Sequence, residues 1–238
     1  MLQYVYQTLT FFRKAFSRNI TWLMFCMVIL GFIGTHEMRA VTSFCQFWGL
    51  DTTGYKALLH FFRASTWSLD KVVEFWWKFV LSQNETVLSH ERAVLLGDHT
   101  CVPKDGRQMP YVVTMHQHSE TQSKPSYFRG HYWGAVGMLI GSMASPFCIP
   151  LSVGIHQGLV HVNEKGQKEE SNDTLGTRIV QMALDFSIRH DIPSILVLDA
   201  FFPWPGCILI GSSCVVHQAS MSTADVGYKS QKELCSLF

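Results

Sequence analysis

The stretch SILVLDAFF, residues 194–202, follows a run of β-branched and leucine side chains with a single aspartate and then further apolar residues. A similar pattern occurs earlier in RAVLLGDHT, residues 92–100, where Asp98 follows another aliphatic run. A charge is costly to bury unless it is paired or binds a metal. Asp98 and Asp199 therefore predict a shared site at the ends of two strands.

The residues around these stretches alternate between strand and helix patterns from Glu91 onward. Residues 136–142 and 147–155 predict a second and a third strand, both buried and joined by a turn at residues 142–146. Asp173 or Thr174 caps a helix, residues 194–202 form the fourth strand, and residues 207–216 predict a fifth. This order indicates an α/β fold with the fourth strand parallel beside the first, and ligands in such sheets gather at the carboxyl ends of the strands.

The first ninety residues have helical patterns instead, and Ser68 is the predicted N-cap of one helix. VTSFCQFWGLDTTGYKALLHFF, residues 41–62, predicts two helices around a Gly-Leu-Asp turn, with the second beginning near Thr52 or Thr53. Such a helix-turn-helix is typical of a DNA reader, with Lys56 and Arg63 on the second helix. Because short helical hairpins are common, a structural helical bundle is the favoured interpretation.

An uncharged stretch, ITWLMFCMVILGFIG at residues 20–34, follows a basic leader and resembles a signal anchor. It is shorter than the roughly 20 residues that span a bilayer, and no small-residue cleavage site follows it. We expect a buried helix here, with a membrane anchor as the alternative.

Composition sets only broad bounds. The 238 residues carry a formal net charge of +1 and are 47% hydrophobic, enough for one large domain or two small ones. A net charge near zero argues neither for nor against nucleic acid, because charged patches decide that. Seven scattered cysteines without a C-x-x-C pair disfavour a disulfide scaffold or a zinc site, and fit reduced thiols in a cytoplasmic protein.

The strand order, with acids after the first and fourth strands, is the layout of a ribonuclease-H-like nuclease. Two magnesium ions about 4 Å apart need carboxylates on a rigid frame to hold the attacking and leaving oxygens of a phosphodiester, and magnesium prefers a few carboxylates with water and phosphate. Many strands also end in an aspartate that only caps a turn. Spacing alone leaves both interpretations open.

The sequence between the two acids resembles the DDE transposases of bacterial insertion sequences. The resemblance lies in the D-x-T at Asp98, the K-x-G-R-x-M-P turn at residues 104–110, and the run S-E-T-Q-S-K-P-S-Y-F-x-G-H-x-W at residues 119–133. It continues through PLSVGIHQG to ILVLDAFF, where the family has its second aspartate. The resemblance implies an N-terminal helical region, residues 1–90, and an incomplete ribonuclease-H-like mixed sheet with flanking helices, residues 91–238.

The resemblance also implies the site. Asp98 and Asp199 match the first and second metal-binding acids of a two-magnesium centre, and DNA, as element ends and target, is the implied partner; a homodimer is compatible with it. The family's third acid is a glutamate on a late helix, and here Glu233 stands in YKSQKELCSLF without the family's motif. We therefore expect a truncated copy with weak or no activity.

Basic side chains flank the first acid and are candidates for binding DNA phosphates: Lys104, Arg107, Lys124, Arg129 and His131. Ordinary surface charge explains any one of them equally well, but their clustering favours DNA. His116 and His118 alternate on a predicted strand, where a surface role is favoured over metal binding because no third ligand is near. Trp133 is predicted to be core. The rival functions are a non-catalytic DNA-binding fragment and a small membrane-anchored protein.

Overall fold

The computed structural model of the protein describes residues 2–35, 40–83, 85–104, 106, 109–116, 127–142, 144–156, 160–162, 168–170, 174–198, 208–210 and 214–218. The chain divides into two compact units, Met1–Asn84 and Glu85–Phe238. The second unit begins before Glu91 because residues 86–89 already pair with the sheet.

The first unit is helical, as its sequence predicts. Its elements are α1 (Leu2–Phe11), a 3₁₀ turn (Phe12–Ala15), α2 (Asn19–Gly34), α3 (Val41–Phe47), α4 (Thr52–Arg63) and α5 (Leu69–Leu81). The core is strongly aromatic, with Phe12, Phe16, Phe44 and Phe61 buried around Leu58. Three indole N–H groups of this unit, those of Trp22, Trp48 and Trp67, donate to backbone carbonyls, as in the 3.0 Å bond from Trp22 to Leu9 O.

The helix predicted at residues 20–34 is present as α2 and packs against α3 through glycine. It is not buried as a whole, because Ile20 is 59% and Ile33 63% exposed. A Cβ atom on Gly31 would lie 2.9 Å from Cδ1 of Phe44, so only a glycine lets the two helices approach this closely. α2 has 16 residues. Within the described parts of the chain, no helix is both long enough and apolar enough to cross a membrane.

The predicted helix-turn-helix pattern is also present. Gly49, with φ of 60°, ends α3 in the left-handed conformation, and Leu50 N donates to Cys45 O at 2.8 Å. The side chain of Asp51 caps α4 by accepting from Gly54 N at 2.9 Å. Ser68 caps α5 in the same way, as predicted.

The second unit is a mixed sheet with one described helix. In chain order its elements are β1 (Leu88–Ser89), β2 (Arg92–Pro103), β3 (Val113–His116), β4 (Tyr127–Ser142), β5 (Ser145–Ile155), β6 (Val160–Val162), β7 (Lys168–Glu170), α6 (Leu175–His190), β8 (Ser194–Leu198), β9 (Ile208–Ile210) and β10 (Cys214–Gln218). β6 and β7 form a separate two-stranded ribbon.

The strand order confirms the predicted α/β fold and is consistent with a ribonuclease-H-like sheet. β2, β4 and β5 are antiparallel neighbours, and β8 lies parallel beside β2, as the sequence predicts. β10 is parallel to β8. The five strands therefore run β5-β4-β2-β8-β10, with α6 as the crossover between β5 and β8.

Two strand predictions need correction. Residues 207–216 do not form one strand; β9 and β10 pair antiparallel within this segment, because the chain reverses between them. β5 is not buried as predicted: Phe147 is 63% exposed and Val153 59% exposed. Its described ladder joins it only to β4, so β5 has the exposure of an edge strand.

Helix α6 covers one face of the sheet. Thr174 is its N-cap, accepting from Thr177 N at 3.2 Å, so one of the two predicted caps is confirmed. Ile179, Ala183 and Phe186 are fully buried. At Gly97 in β2 the helix comes so close that a Cβ atom would lie 2.5 Å from both Ile179 Cγ2 and Leu198 Cδ2.

The five described cysteines are free, as expected for a protein without a disulfide scaffold: Cys26, Cys45, Cys101, Cys148 and Cys214. Burial raises the pKa of the Cys26 thiol to about 11, which keeps it protonated and unreactive near neutral pH.

The contact at Gly97 gives a stability prediction. We expect Gly97→Ala to lower the free energy of unfolding by about 1–3 kcal/mol, because a methyl group overpacks the space between α6 and β8. The matched control is Gly154→Ala on β5, where the nearest atom, Met182 Sδ, would be at 3.4 Å. Urea denaturation of both variants measures the difference, and equal stabilities would contradict the packing described here.

Candidate active site

The parallel ladder between β2 and β8 places the segment before Asp98 beside the segment before Asp199. Ala93 pairs with Ser194 and the register continues without a shift to Gly97 and Leu198. Asp98 follows Gly97 directly. Asp199, which follows Leu198 in the chain, lies outside the described residues, and its pairing with Asp98 stays a prediction.

The sequence pattern placed Asp98 just past the end of a strand. In the structure it lies inside β2. The strand continues to Pro103 because its antiparallel ladder with β4 runs on from Leu95 to that residue. Asp98 is therefore the first residue of β2 beyond the described ladder with β8. The residues before and after Asp98 in the chain both belong to β2. This gives its backbone the rigidity expected of a metal-binding position.

The side chain of Asp98 points away from α6 into solvent. Gly97 faces the helix, and successive residues of a strand point to opposite faces. Asp98 is exposed, and its Oδ1 accepts a 2.7 Å hydrogen bond from His99 N. Among the described residues it forms no ion pair.

This environment fits a magnesium ligand. Magnesium takes one or two carboxylates together with water and phosphate oxygens, and Asp98 offers an exposed carboxylate on a rigid strand. The described residues include no group of three or more His, Cys, Asp or Glu side chains that could hold a metal ion by themselves. Glu233 lies outside the described residues.

Of the five predicted phosphate contacts, three are described. Arg129 and His131 lie on β4, and Lys104 follows the end of β2, where Lys104 N donates to Arg129 O at 3.1 Å. Arg107 and Lys124 lie outside the described residues, as does the side chain of His116 and the whole of His118.

Arg129 and His131 hold the connection between β2 and β3. Arg129 Nη2 donates to Gly106 O at 3.4 Å, and His131 Nε2 lies 2.9 Å from Pro110 O. Because a carbonyl oxygen can only accept, that nitrogen of His131 carries a proton. Both side chains thus bind loop backbone on the side of the sheet that carries Asp98.

Trp133 is a feature that the sequence analysis did not assign to the site. It was predicted to be core, but it is only partly buried, and it meets His131 edge to face with ring centroids 6.1 Å apart. The pattern that could have identified it is the alternation of Tyr127, Arg129, His131 and Trp133 along one strand, which places all four on one face.

A comparison with protein families matches this region. A family model described as DDE superfamily endonuclease matches residues 29–153, which is more than half of the chain and includes Asp98, strands β1–β4 and most of β5. No curated protein matches the chain.

The contact of His131 with the loop gives a second prediction. We expect His131→Phe to speed amide hydrogen exchange in a peptide covering residues 109–116 by about 2- to 10-fold, because it removes one hydrogen bond and keeps a ring. The control is His60→Phe, at an exposed histidine on α4. Unchanged exchange in His131→Phe would mean that the loop is held by other contacts.

Proposed function

Because the chain belongs to the DDE superfamily endonucleases, we propose that it is a DNA transposase of an insertion sequence, with its reaction centre at Asp98. The observation that carries the proposal is the unshifted parallel register from Ala93–Ser194 to Gly97–Leu198. Such a register supports a site in which Asp98 and Asp199, which follow Gly97 and Leu198 in the chain, project together.

In this proposal Asp98 and Asp199 bind divalent metal, and the exposure of Asp98 supports that role. Bound at these acids, a pair of magnesium ions would supply activation of the attacking water or 3′-hydroxyl and stabilisation of the leaving oxygen. The protein's own contribution is positional. The tight contact of Gly97 with α6 fixes the backbone beside Asp98, and the hydrogen bond from His99 N orients its carboxylate.

DNA backbone is the proposed partner of the basic residues near Asp98. Lys104 and Arg129 lie on adjoining backbone, and Arg107 and Lys124 are further candidates from the sequence. These cations near Asp98 would neutralise backbone phosphates and so position the scissile bond of the DNA. Because Arg129 and His131 also bind the β2–β3 loop, their contribution to DNA binding includes holding that loop in place.

We also propose that cleavage is weak. The family's third acid has one sequence candidate here, Glu233, and its context lacks the motif of the family's glutamate. If Glu233 does not act as a third carboxylate, a metal pair at Asp98 and Asp199 would be held less firmly, and misplacement by about 1 Å can cost about 100-fold in rate.

A non-catalytic DNA-binding role is the alternative, and the helix-turn-helix of α3 and α4 favours it. Lys56, His60 and Arg63 are all exposed on α4. They recur at spacings of four and three residues, so they share one side of the helix. A row of donors on the second helix of such a pair suits contact with a DNA groove.

The reaction is tested by magnesium-dependent strand cleavage of oligonucleotides that carry the element's ends. We expect slow cleavage that Asp98→Asn reduces at least about 100-fold, because the amide removes the charge that binds metal. Asp70→Asn, at an exposed aspartate on α5, is the control and should cleave like the unmodified chain.

Glu233→Gln extends the same assay. An unchanged rate is the expected result. A loss as large as that of Asp98→Asn would establish Glu233 as the third acid, and cleavage unaffected by Asp98→Asn would remove the basis for the proposed enzyme.

The alternative makes a separate prediction for duplex binding. If α4 reads DNA, the double substitution Lys56→Gln and Arg63→Gln should weaken duplex binding at low salt. The slope of log K against log salt concentration should become shallower by about two, because about two phosphate contacts are lost. Lys71→Gln on the exposed start of α5 is the control. Fluorescence anisotropy across a salt series compares the double variant with this control. An unchanged slope of log K against log salt in the double variant would exclude α4 as a DNA contact.

A further inference from the structure

One face of β4 carries a row of four side chains whose chemistry differs from that of the opposite face. The even-numbered residues of β4 face α6: a Cβ atom on Gly134 would lie 3.0 Å from Ile179 Cγ1, and Tyr132, Val136 and Met138 are buried. The odd-numbered residues therefore point to the other face. We name this set the β4 row: Tyr127, Arg129, His131 and Trp133.

The β4 row lies on the same face as Asp98. In the β2–β4 ladder, Asp98 pairs with Ala135, Thr100 with Trp133 and Val102 with His131. Directly paired residues of an antiparallel ladder share a face, and a diagonal neighbour lies about 7–8 Å away. Trp133 is the diagonal neighbour of Asp98, so the row starts beside the acid and leads away from it along β4.

Around the β4 row this face is open among the residues that the structure describes, whereas its other end is closed by the buried side chains of Val87, Val94 and Leu139. Asp98, Thr100 and Val102 are exposed along β2, and Tyr127 and Arg129 along β4, with Tyr127 at 64%. His131 and Trp133 are partly exposed. The ring of Tyr127 and the cation of Arg129 are thus open to solvent on the face that carries Asp98. Exposed rings together with cations are typical of a binding surface.

The sequence of the row fits a nucleic-acid strand with unpaired bases. Surfaces that bind single strands combine aromatic rings, on which bases stack, with cations that follow the phosphates. Here Tyr127 and Trp133 supply the rings, and Arg129, which lies between them on the strand, supplies a cation. The edge contact from His131 orients the ring of Trp133, and His131 is itself held by Pro110 O, so the ring is fixed before any base arrives.

We propose that the β4 row binds unpaired nucleotides of a DNA strand end next to the phosphodiester at Asp98, with Trp133 as the stacking platform for the nearest base. Paired bases inside a duplex already stack on both sides, so a ring on a flat sheet face selects a strand whose bases are free to turn outward. This inference rests on the proposed function for its choice of DNA.

The test is binding by the full chain in EDTA, where cleavage cannot contribute. Fluorescence anisotropy compares three probes of equal duplex length: a blunt duplex, the duplex with a short unpaired 3′ tail, and the duplex with an abasic tail that has backbone but no bases. We expect the unmodified chain to prefer the tailed duplex over both others. Trp133→Ala should reduce this preference about tenfold, in line with the loss of one stacked base, and Tyr127→Ala should reduce it less.

Three variants serve as controls. Trp133→Leu keeps an apolar side chain without a π face and should lose the preference as Trp133→Ala does, whereas Trp133→Phe should keep most of it. Tyr6→Ala, at an exposed tyrosine on α1, should bind every probe like the unmodified chain. Should Trp133→Ala not fold, Trp133→Leu and Tyr127→Ala decide the question.

Equal binding of the tailed and abasic-tailed probes by the unmodified chain would overturn the inference, as would a Trp133→Leu variant that weakens blunt and tailed probes to the same extent. Either result leaves the cleavage assay on Asp98→Asn unaffected. Conversely, loss of the proposed reaction with a retained preference for unpaired bases would separate the binding surface from the enzyme.

Discussion

The close approach of helix α6 to Gly97 is the constraint on which the sheet unit depends. Any side chain at this position would meet Ile179 and Leu198. The missing Cβ therefore lets α6 pack closely against β2 and β8. The same contact decides which residues face the helix and which face solvent. Because Gly97 points inward, Asp98 points outward, and an acid is placed at the surface by the packing of its apolar neighbour.

Much of this architecture could be predicted from the sequence. The apolar runs at residues 93–97 and 195–198 are strong enough to identify two core strands, and the helix that precedes the second run favours a parallel pairing with the first. Local side-chain chemistry also defined helix starts, because Ser68 and Thr174 each bond a backbone N–H three residues on. These features depend on neighbours in the chain, which is why the sequence reveals them.

The features that the sequence did not reveal depend on tertiary contacts. β5 contains as many apolar residues as a buried strand, but its place at an edge of the ladder exposes Phe147 and Val153. A tryptophan is ordinarily core, yet Trp133 lies on the face that α6 does not cover. The extension of β2 beyond Asp98 follows from its ladder with β4. In each case the answer depends on which face or edge a partner covers, and hydrophobic periodicity does not contain that information.

The register between β2 and β8 also has a consequence for the order of folding. The β4–β5 hairpin closes through a turn of a few residues, so it can form early and at little entropic cost. The β2–β8 ladder instead joins segments roughly a hundred residues apart, and closing so long a loop costs entropy before any pairing offsets it. The surface around Asp98 is therefore completed late. A chain that has formed only its hairpins still lacks the β2–β8 pairing beside Asp98, so the proposed reaction centre forms only with this long-range step of assembly.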